Sequence, residues 1–165
     1  AGGPLQAGRF FHSGGAAARD LGTRVHELFE QIEWLAPGEM PVFDDTEPEA
    51  AQLVGSFLAA PANPAFFEKP AVETTDLLRE QAFEAVLDGK WLSGMIDRLH
   101  LTRQKDGTPL SAHVIDYKTD HTPDPERHRH QMEDYRQAVA LLFGLPAEAI
   151  TCTLLFVRSG VAAEV

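Results

Sequence analysis

Two acids and a lysine are spaced so that they could act on a phosphodiester. In the run Val114-Ile115-Asp116-Tyr117-Lys118-Thr119 the side chains of a strand would alternate between faces. Val114, Asp116 and Lys118 would then share one face, with a carboxylate beside an ammonium. Asp97 ends a second strand-like apolar run, Trp91-Leu92-Ser93-Gly94-Met95-Ile96-Asp97. Two carboxylates converging at the end of a sheet can hold a hard divalent cation that neither could hold alone. The chemistry this permits is metal-dependent phosphodiester hydrolysis. An Asp-x-Lys on its own is more often a solvated edge or a structural ion pair, so its companions decide its meaning.

The companions lie on two helices. Leu21, Val25, Leu28, Phe29, Ile32 and Leu35 recur at helical spacing and predict an amphipathic helix over 21–35, with Asp20 as its N-cap. This helix carries His26, and Glu30 follows one turn later on the same face. Gly22, one turn before His26, costs about 1 kcal/mol of helix propensity and leaves room for an ion or a phosphate. A second helix is predicted over 126–143, with Met132, Tyr135, Val139 and Leu142 as its packing stripe and Gly144-Leu145-Pro146 as its stop. On it Gln131 and Tyr135 stand one turn apart, an amide and a phenol able to reach past the end of the stripe.

The elements that must position these groups follow from punctuation and periodicity. Residues 1 to 18, rich in Gly and Ala, read as a linker or entry segment in which Arg9-Phe10-Phe11-His12 docks on the body, and 19–165 reads as one domain. Pro37 to Pro70 is a proline-punctuated insertion with a helix near Pro48 to Ala59. Leu77 to Leu87 and Lys90 to Thr102 read as strands joined at Asp88-Gly89, a type I′ hairpin signal, and Asp106-Gly107 turns the chain into a strand over Ala112 to Thr119. His121 to Arg129 is a polar loop, and Ile150 to Arg158 is a last strand. Helix, three strands, helix, strand gives an α/β fold with a mixed central sheet flanked by helices.

Composition sets the outer bounds. The chain has 165 residues, 44% of them apolar, enough for one core. It has no apolar run of membrane-spanning length and no signal-peptide pattern, and its Ala-Gly-Gly-Pro opening reads as that of an excised fragment. Cys152 is the single cysteine, which excludes a disulfide framework or a cysteine-ligated cluster and fits a reducing cytoplasm. The net charge of −11 argues against a nucleic-acid partner. The charge is uneven, however: nine of the 14 Lys and Arg fall between Arg79 and Arg136, whereas 12 of the 25 acids precede Arg79. A basic rim around an acidic centre, with Arg98, Arg127 and Arg129 as phosphate contacts, reconciles the two. His113, His121, His128 and His130 lack the repeated ligand spacing of a zinc site; His128 and His130, with Arg127 and Arg129, suit the phosphate backbone of a strand.

Taken in order, Gly22-Thr23-Arg24-Val25-His26-Glu27-Leu28-Phe29-Glu30, Gly94-Met95-Ile96-Asp97-Arg98, Asp116-Tyr117-Lys118-Thr119 and Gln131-Met132-Glu133-Asp134-Tyr135 resemble the C-terminal nuclease domain of RecB/AddA-type helicase-nucleases. That domain belongs to the PD-(D/E)xK phosphodiesterase superfamily. The resemblance runs from Gly22 to Tyr135, and four motifs in order are far more specific than any one. It implies that the fold is the nuclease core of that superfamily. It further implies that His26, Asp97 and Asp116 are side-chain ligands of Mg2+ or Mn2+, with the Tyr117 carbonyl as a further ligand. Lys118 is then the catalytic lysine, with Gln131 and Tyr135 positioning it and the strand, and Glu30 holds a ligand or water from behind. Glu80, in Arg79-Glu80-Gln81-Ala82-Phe83, matches a weaker family feature without a catalytic role. The imidazole in the ligand set tilts the site toward Mn2+. No iron-sulfur cluster of the kind some relatives carry is expected. The implied activity is a DNA exonuclease in end processing, recombination and repair, fed single strand by a superfamily-1 helicase motor and acting away from any membrane. The alternatives are a catalytically silent DNA-binding module and a free-standing phage-type exonuclease. The intact ligands and lysine favour the active enzyme.

Overall fold

A computed structural model describes residues 16–44, 47–71 and 74–165. The Arg9-Phe10-Phe11-His12 run and most of the expected entry segment lie outside the described residues. The elements are α1 (Ala16–Glu30), α2 (Pro48–Ala59), β1 (Thr74–Leu87), β2 (Lys90–Arg103), β3 (Pro109–Lys118), α3 (Arg129–Phe143), β4 (Ile150–Phe156) and β5 (Val161–Glu164). The five strands form one sheet in the order β1-β2-β3-β4-β5, antiparallel except where β3 and β4 run parallel through the α3 crossover. This is the mixed α/β architecture expected from the element order. Among the described residues no helix is long and apolar enough to cross a membrane.

The sheet separates two cores. On one face Leu99, Val114, Cys152, Leu154 and Phe156 pack against Met132, Tyr135, Ala138 and Val139 of α3. On the other, Ile115, Tyr117, Leu155 and Val157 pack against Val25, Leu28 and Phe29 of α1 and Val54, Phe57 and Leu58 of α2. Strands β3 and β4 are therefore buried on both faces, which is why they read as nearly continuous apolar runs. Asp116 belongs to the α3 face by alternation and Tyr117 to the α1 face.

Beyond Arg98, β2 leaves β3 and continues only with β1, so residues 81–87 and 90–96 form a two-stranded ribbon. Asp88 (φ 51°) and Gly89 (φ 75°) close it with the two left-handed residues a type I′ turn needs. At the ribbon's root the Glu80 and Asp97 pair drops out of an otherwise unbroken register, and Glu80 has φ 47°. The alternation inverts there. Leu78 and Leu99 before the gap and Phe83, Leu92 and Ile96 beyond it all join the same core, though along each strand the two sets are offset by an odd number of positions.

Four expectations change. Helix α1 begins at Ala16, because Ala16-Ala17-Ala18 propagate it, so Asp20 lies inside the helix rather than capping it. It ends at Glu30 rather than Leu35, because the carbonyls of Ile32 and Glu33 are taken by Arg98 and Leu35 instead bridges to Glu68. Leu142 is half exposed, and Ala138 takes its place in the packing stripe. The short, mostly exposed strand β5 follows β4 with too little apolar pattern to be read from sequence.

Arg98 itself is fully buried and cannot touch a phosphate backbone. Its Nη1 donates to the Ile32 carbonyl (2.7 Å), Nη2 to the Glu33 carbonyl, and Nε to His100 Nε2 (2.8 Å). The guanidinium lies 5.1 Å from the Trp34 ring centroid and 4.9 Å from that of Phe67. Because burial, and after it the Arg98 charge, disfavours an imidazolium, His100 is depressed to about 3 and stays neutral. Replacing Arg98 with Leu strands two carbonyls and loosens α1, and should cost about 2–4 kcal/mol of unfolding free energy. Urea denaturation measures it, and a loss under about 0.5 kcal/mol, the scale of an ordinary surface change, would show that Arg98 is not the clamp described.

Candidate active site

The site lies in the fork where β2 and β3 part. With no strand beside it on that side, the Tyr117 amide donates to Asp97 Oδ2 (2.9 Å). Backbone N–H and C=O of one strand residue point the same way, so the Tyr117 carbonyl also faces the fork. On β3's other side Val157 donates its amide to the Lys118 carbonyl (2.9 Å), and Arg158 Nε donates to that of Thr119 (2.7 Å).

Helix α1 brings His26 to the fork. Its Nδ1–H donates to the Gly22 carbonyl (2.8 Å), which leaves Nε2 facing Asp97 Oδ2 at 3.2 Å. A Cβ on Gly22 would stand 3.1 Å from Thr119 Oγ1, so the glycine allows the helix to lie close to the end of β3. That is a narrower service than a vacant anion site. Burial alone would lower the His26 pKa, but Asp97 outweighs it and raises it to about 9. Burial would raise Asp97, yet the hydrogen bonds from His26 and Tyr117 hold it below its ordinary value.

Asp116 takes the opposite course. It is buried, with the Asp97 charge nearby and Lys118 only partly compensating, and its carboxyl is pushed up to about 7. Lys118 Nζ lies 2.8 Å from Asp116 Oδ2, but out of line for a hydrogen bond, and Oδ2 is left without one. Lys118 is instead aligned by a directional chain. Its ammonium donates to Gln131 Oε1 (2.8 Å), Gln131 Nε2 donates to Tyr135 Oη (3.0 Å), and the Tyr135 hydroxyl donates to the Met95 carbonyl (3.1 Å). Burial keeps Tyr135 well above the usual phenol range, so it remains a neutral donor. A Cβ on Gly94 would come within 2.9 Å of the Tyr135 ring and 3.1 Å of Phe83, so only glycine lets Tyr135 lie on β2.

The fold thus brings His26, Asp97, Asp116, Tyr117, Lys118, Gln131 and Tyr135 into one fork from four separate segments. Among the described residues, no three imidazole, thiol or carboxylate side chains are already gathered as metal ligands; His26 and Asp97 pair with each other, and Asp116 leans on Lys118. The donor set nonetheless fits a divalent cation. It offers an imidazole nitrogen of fixed tautomer, two carboxylates of which one has an orphaned buried oxygen, and a carbonyl facing the same gap. Glu30 does not reach the fork by any hydrogen bond of its side chain; its carbonyl accepts from Arg79 Nη1 (2.6 Å), beside a cleft lined by Glu27, Leu77 and Gln81. Glu80 sits opposite Asp97 with its carboxyl raised by partial burial and by the charges of Glu30 and Asp97.

The expected phosphate contacts fare unevenly. Arg129 pairs with Glu126, and His128 Nε2 lies 2.6 Å from Asp120. Arg127 and His130 stay exposed. His113 is elsewhere, hydrogen-bonded with Thr153 Oγ1 (2.7 Å), so the four histidines do not form one group. What sequence reasoning missed is the Arg98 clamp and the Glu80 and Asp97 turnover. The positive φ at Glu80 has no sequence signal, whereas the apolar run around Arg98 is a signal of burial that competes with the phosphate contact expected of it.

Residues 5–164 match the family model described as PD-(D/E)XK nuclease superfamily. No curated protein matches the chain.

Two outcomes are expected. In chelator, Asp116 favours folding most when protonated and loses that contribution between its ordinary value of 3.8 and about 7. The raised His26 contributes below 6.5 and loses it through about 9. The two combine so that Tm falls on raising the pH from about 6 to 9; a flat calorimetric profile would remove the His26 and Asp97 pairing. Separately, Gly94→Ala should displace Tyr135 and free Lys118, lowering stability by about 1–3 kcal/mol and altering the Lys118 environment in heteronuclear NMR.

Proposed function

Because this chain belongs to the PD-(D/E)XK nuclease superfamily, we propose that it is a Mg2+- or Mn2+-dependent deoxyribonuclease working as an exonuclease, the nuclease unit of a helicase-nuclease of the RecB/AddA kind in DNA end processing, recombination and repair. The observation that carries this reading is Lys118, held by Gln131 and Tyr135 at the side of an Asp116 oxygen that has no hydrogen bond.

His26 Nε2, Asp97, Asp116 and the Tyr117 carbonyl would hold the cation. When bound, a divalent ion polarises the scissile phosphate and acidifies a water. To receive it, His26 must give up its proton and Asp116 must be ionised, so loading releases protons and strengthens as pH rises. Lys118 presents a compact ammonium with three donors, one of them committed to Gln131. The remaining donors can hold the attacking water or a nonbridging phosphate oxygen, and the fixed relay to Met95 keeps the ammonium from swinging away. Gln131 and Tyr135 act on Lys118 and through it.

The acidic balance of the chain favours a site that receives its strand from a neighbouring motor rather than capturing DNA unaided. The lone buried Cys152 suits a reducing cytoplasm.

Asp116→Asn separates fold from chemistry, since it mimics the protonated carboxyl. Its Tm in chelator should equal or exceed that of the wild type, whereas calorimetric Mn2+ binding and cleavage of linear single-stranded DNA should vanish. Lys118→Ala should keep Mn2+ binding and lose at least about a hundredfold in single-turnover rate. His26→Ala and Asp97→Ala should lose both. Wild-type protein that binds Mn2+ without cutting would leave a silent DNA-binding module, and cleavage by Asp116→Asn at the wild-type rate would sink the assignment.

A further inference from the structure

The β1–β2 ribbon has one face packed against α3 through Phe83, Ala85, Leu92 and Ile96. Its other face is open among the described residues and is not uniformly polar. The register sets Val86 across from Trp91 and Ala82 across from Met95, with Glu84 and Ser93 between them. Trp91 is 61% exposed, Val86 54% and Met95 48%. Single exposed apolar residues are ordinary. These three lie on one face of one ribbon, and that ribbon leads to Asp97 along a strand whose rise places Trp91 roughly 20 Å away.

The cations near the fork are committed elsewhere. Arg98 is buried, Arg79 donates to the Glu30 carbonyl, and Arg158 donates to that of Thr119. Lys90 pairs with Asp134 and Arg129 with Glu126, and Lys118 is held within the fork by Gln131. Among the described residues the outer face of the ribbon, Ala82, Glu84, Val86, Trp91, Ser93 and Met95, carries no cation to follow a strand by its phosphates, and Glu84 repels them. It can follow a strand by its bases, because every base offers a π face to an aromatic or thioether side chain at no cost in charge.

We propose that the outer face of the ribbon, formed by Trp91, Met95 and Val86, is a stacking platform for the bases of an unpaired nucleic-acid strand whose end lies in the fork at Asp97 and Asp116. The inference rests on the nuclease reading, since that reading makes the ribbon face continuous with a site for nucleic acid. The platform excludes duplex, whose bases are already stacked, and so makes the geometry selective for single strand without a basic groove.

The test begins with binding in chelator, where no cleavage can occur. Oligothymidine should quench the intrinsic tryptophan fluorescence of the wild type saturably, and a duplex of equal length should not. Trp91→Ala should abolish that quenching and weaken binding about tenfold by anisotropy of a labelled strand. The double variant Val86→Ser and Met95→Ser should weaken it less, and all variants should melt as the wild type does, because the three side chains are exposed. In the presence of Mn2+, Trp91→Ala should raise KM for single strand with kcat retained. Wild-type affinity in Trp91→Ala, equal quenching by duplex, or a dimer that Trp91→Ala dissolves would each overturn the platform. Failure of the wild type to cleave with Mn2+, while Trp91-dependent binding persists, would overturn the nuclease reading and leave the platform standing.

Discussion

The amide of Tyr117 donates to a carboxylate rather than to a strand, and the geometry of the site follows from that substitution. Had β2 stayed paired with β3 beyond Arg98, the amide would be spent in the ladder and Asp97 would have no anchor. Because β2 turns away, one side of β3 is open while the other is held by β4 in parallel register through Lys118 and Phe156. Asp116 and Lys118 therefore stand on a backbone that is hydrogen-bonded to a strand from one side only. Asp97, at the turnover, closes the gap with a single oxygen that serves the amide and the imidazole together.

Two carboxylates in mutual reach cannot both be freely ionised in a buried place, and the fold resolves this by giving them unlike neighbours. Asp97 receives a cationic imidazole and a backbone amide and stays charged. Asp116 receives burial, the field of Asp97 and a misaligned ammonium, and stays largely protonated until pH nears about 7. The protein thus rests with one negative and one neutral acid, and the arrangement is poised for an added positive charge to rebalance it. The directional relay from Lys118 through Gln131 and Tyr135 to Met95 leaves the amide of Gln131 one orientation only, which keeps the ammonium fixed through any such change.

How much of this could be read from the chain depended on how local the cause was. The hairpin at Asp88-Gly89 and the helix from Pro48 to Ala59 are dictated by a few adjacent residues, and the sheet's double burial shows directly in the apolar runs of β3 and β4. The residues of the fork were legible because each motif combines a reactive side chain with the glycine or aromatic that gives it room, as Gly94 does for Tyr135. The end of α1 was not legible: the apolar spacing continues through Leu35, but the decision to stop at Glu30 is made by Arg98, more than sixty positions away. The same distance defeated the reading of Arg98 as a surface charge. The turnover at Glu80 depends on which core each half of the ribbon joins, and an alternating pattern carries no mark of where it inverts.

The Arg98 clamp has a bearing on how the chain reaches its working form. A guanidinium gives up its water only when replacement acceptors arrive, and here these are two carbonyls just past α1 and two rings, Trp34 and Phe67, from separate segments. Partial docking of the α1 side would bury the charge against too few of them, so that layer joins the sheet in one cooperative event. His26 rides on the same helix and arrives at Asp97 in that event. A molecule in which that layer has not docked lacks both the Arg98 clamp and the imidazole beside Asp97, so the two are completed together.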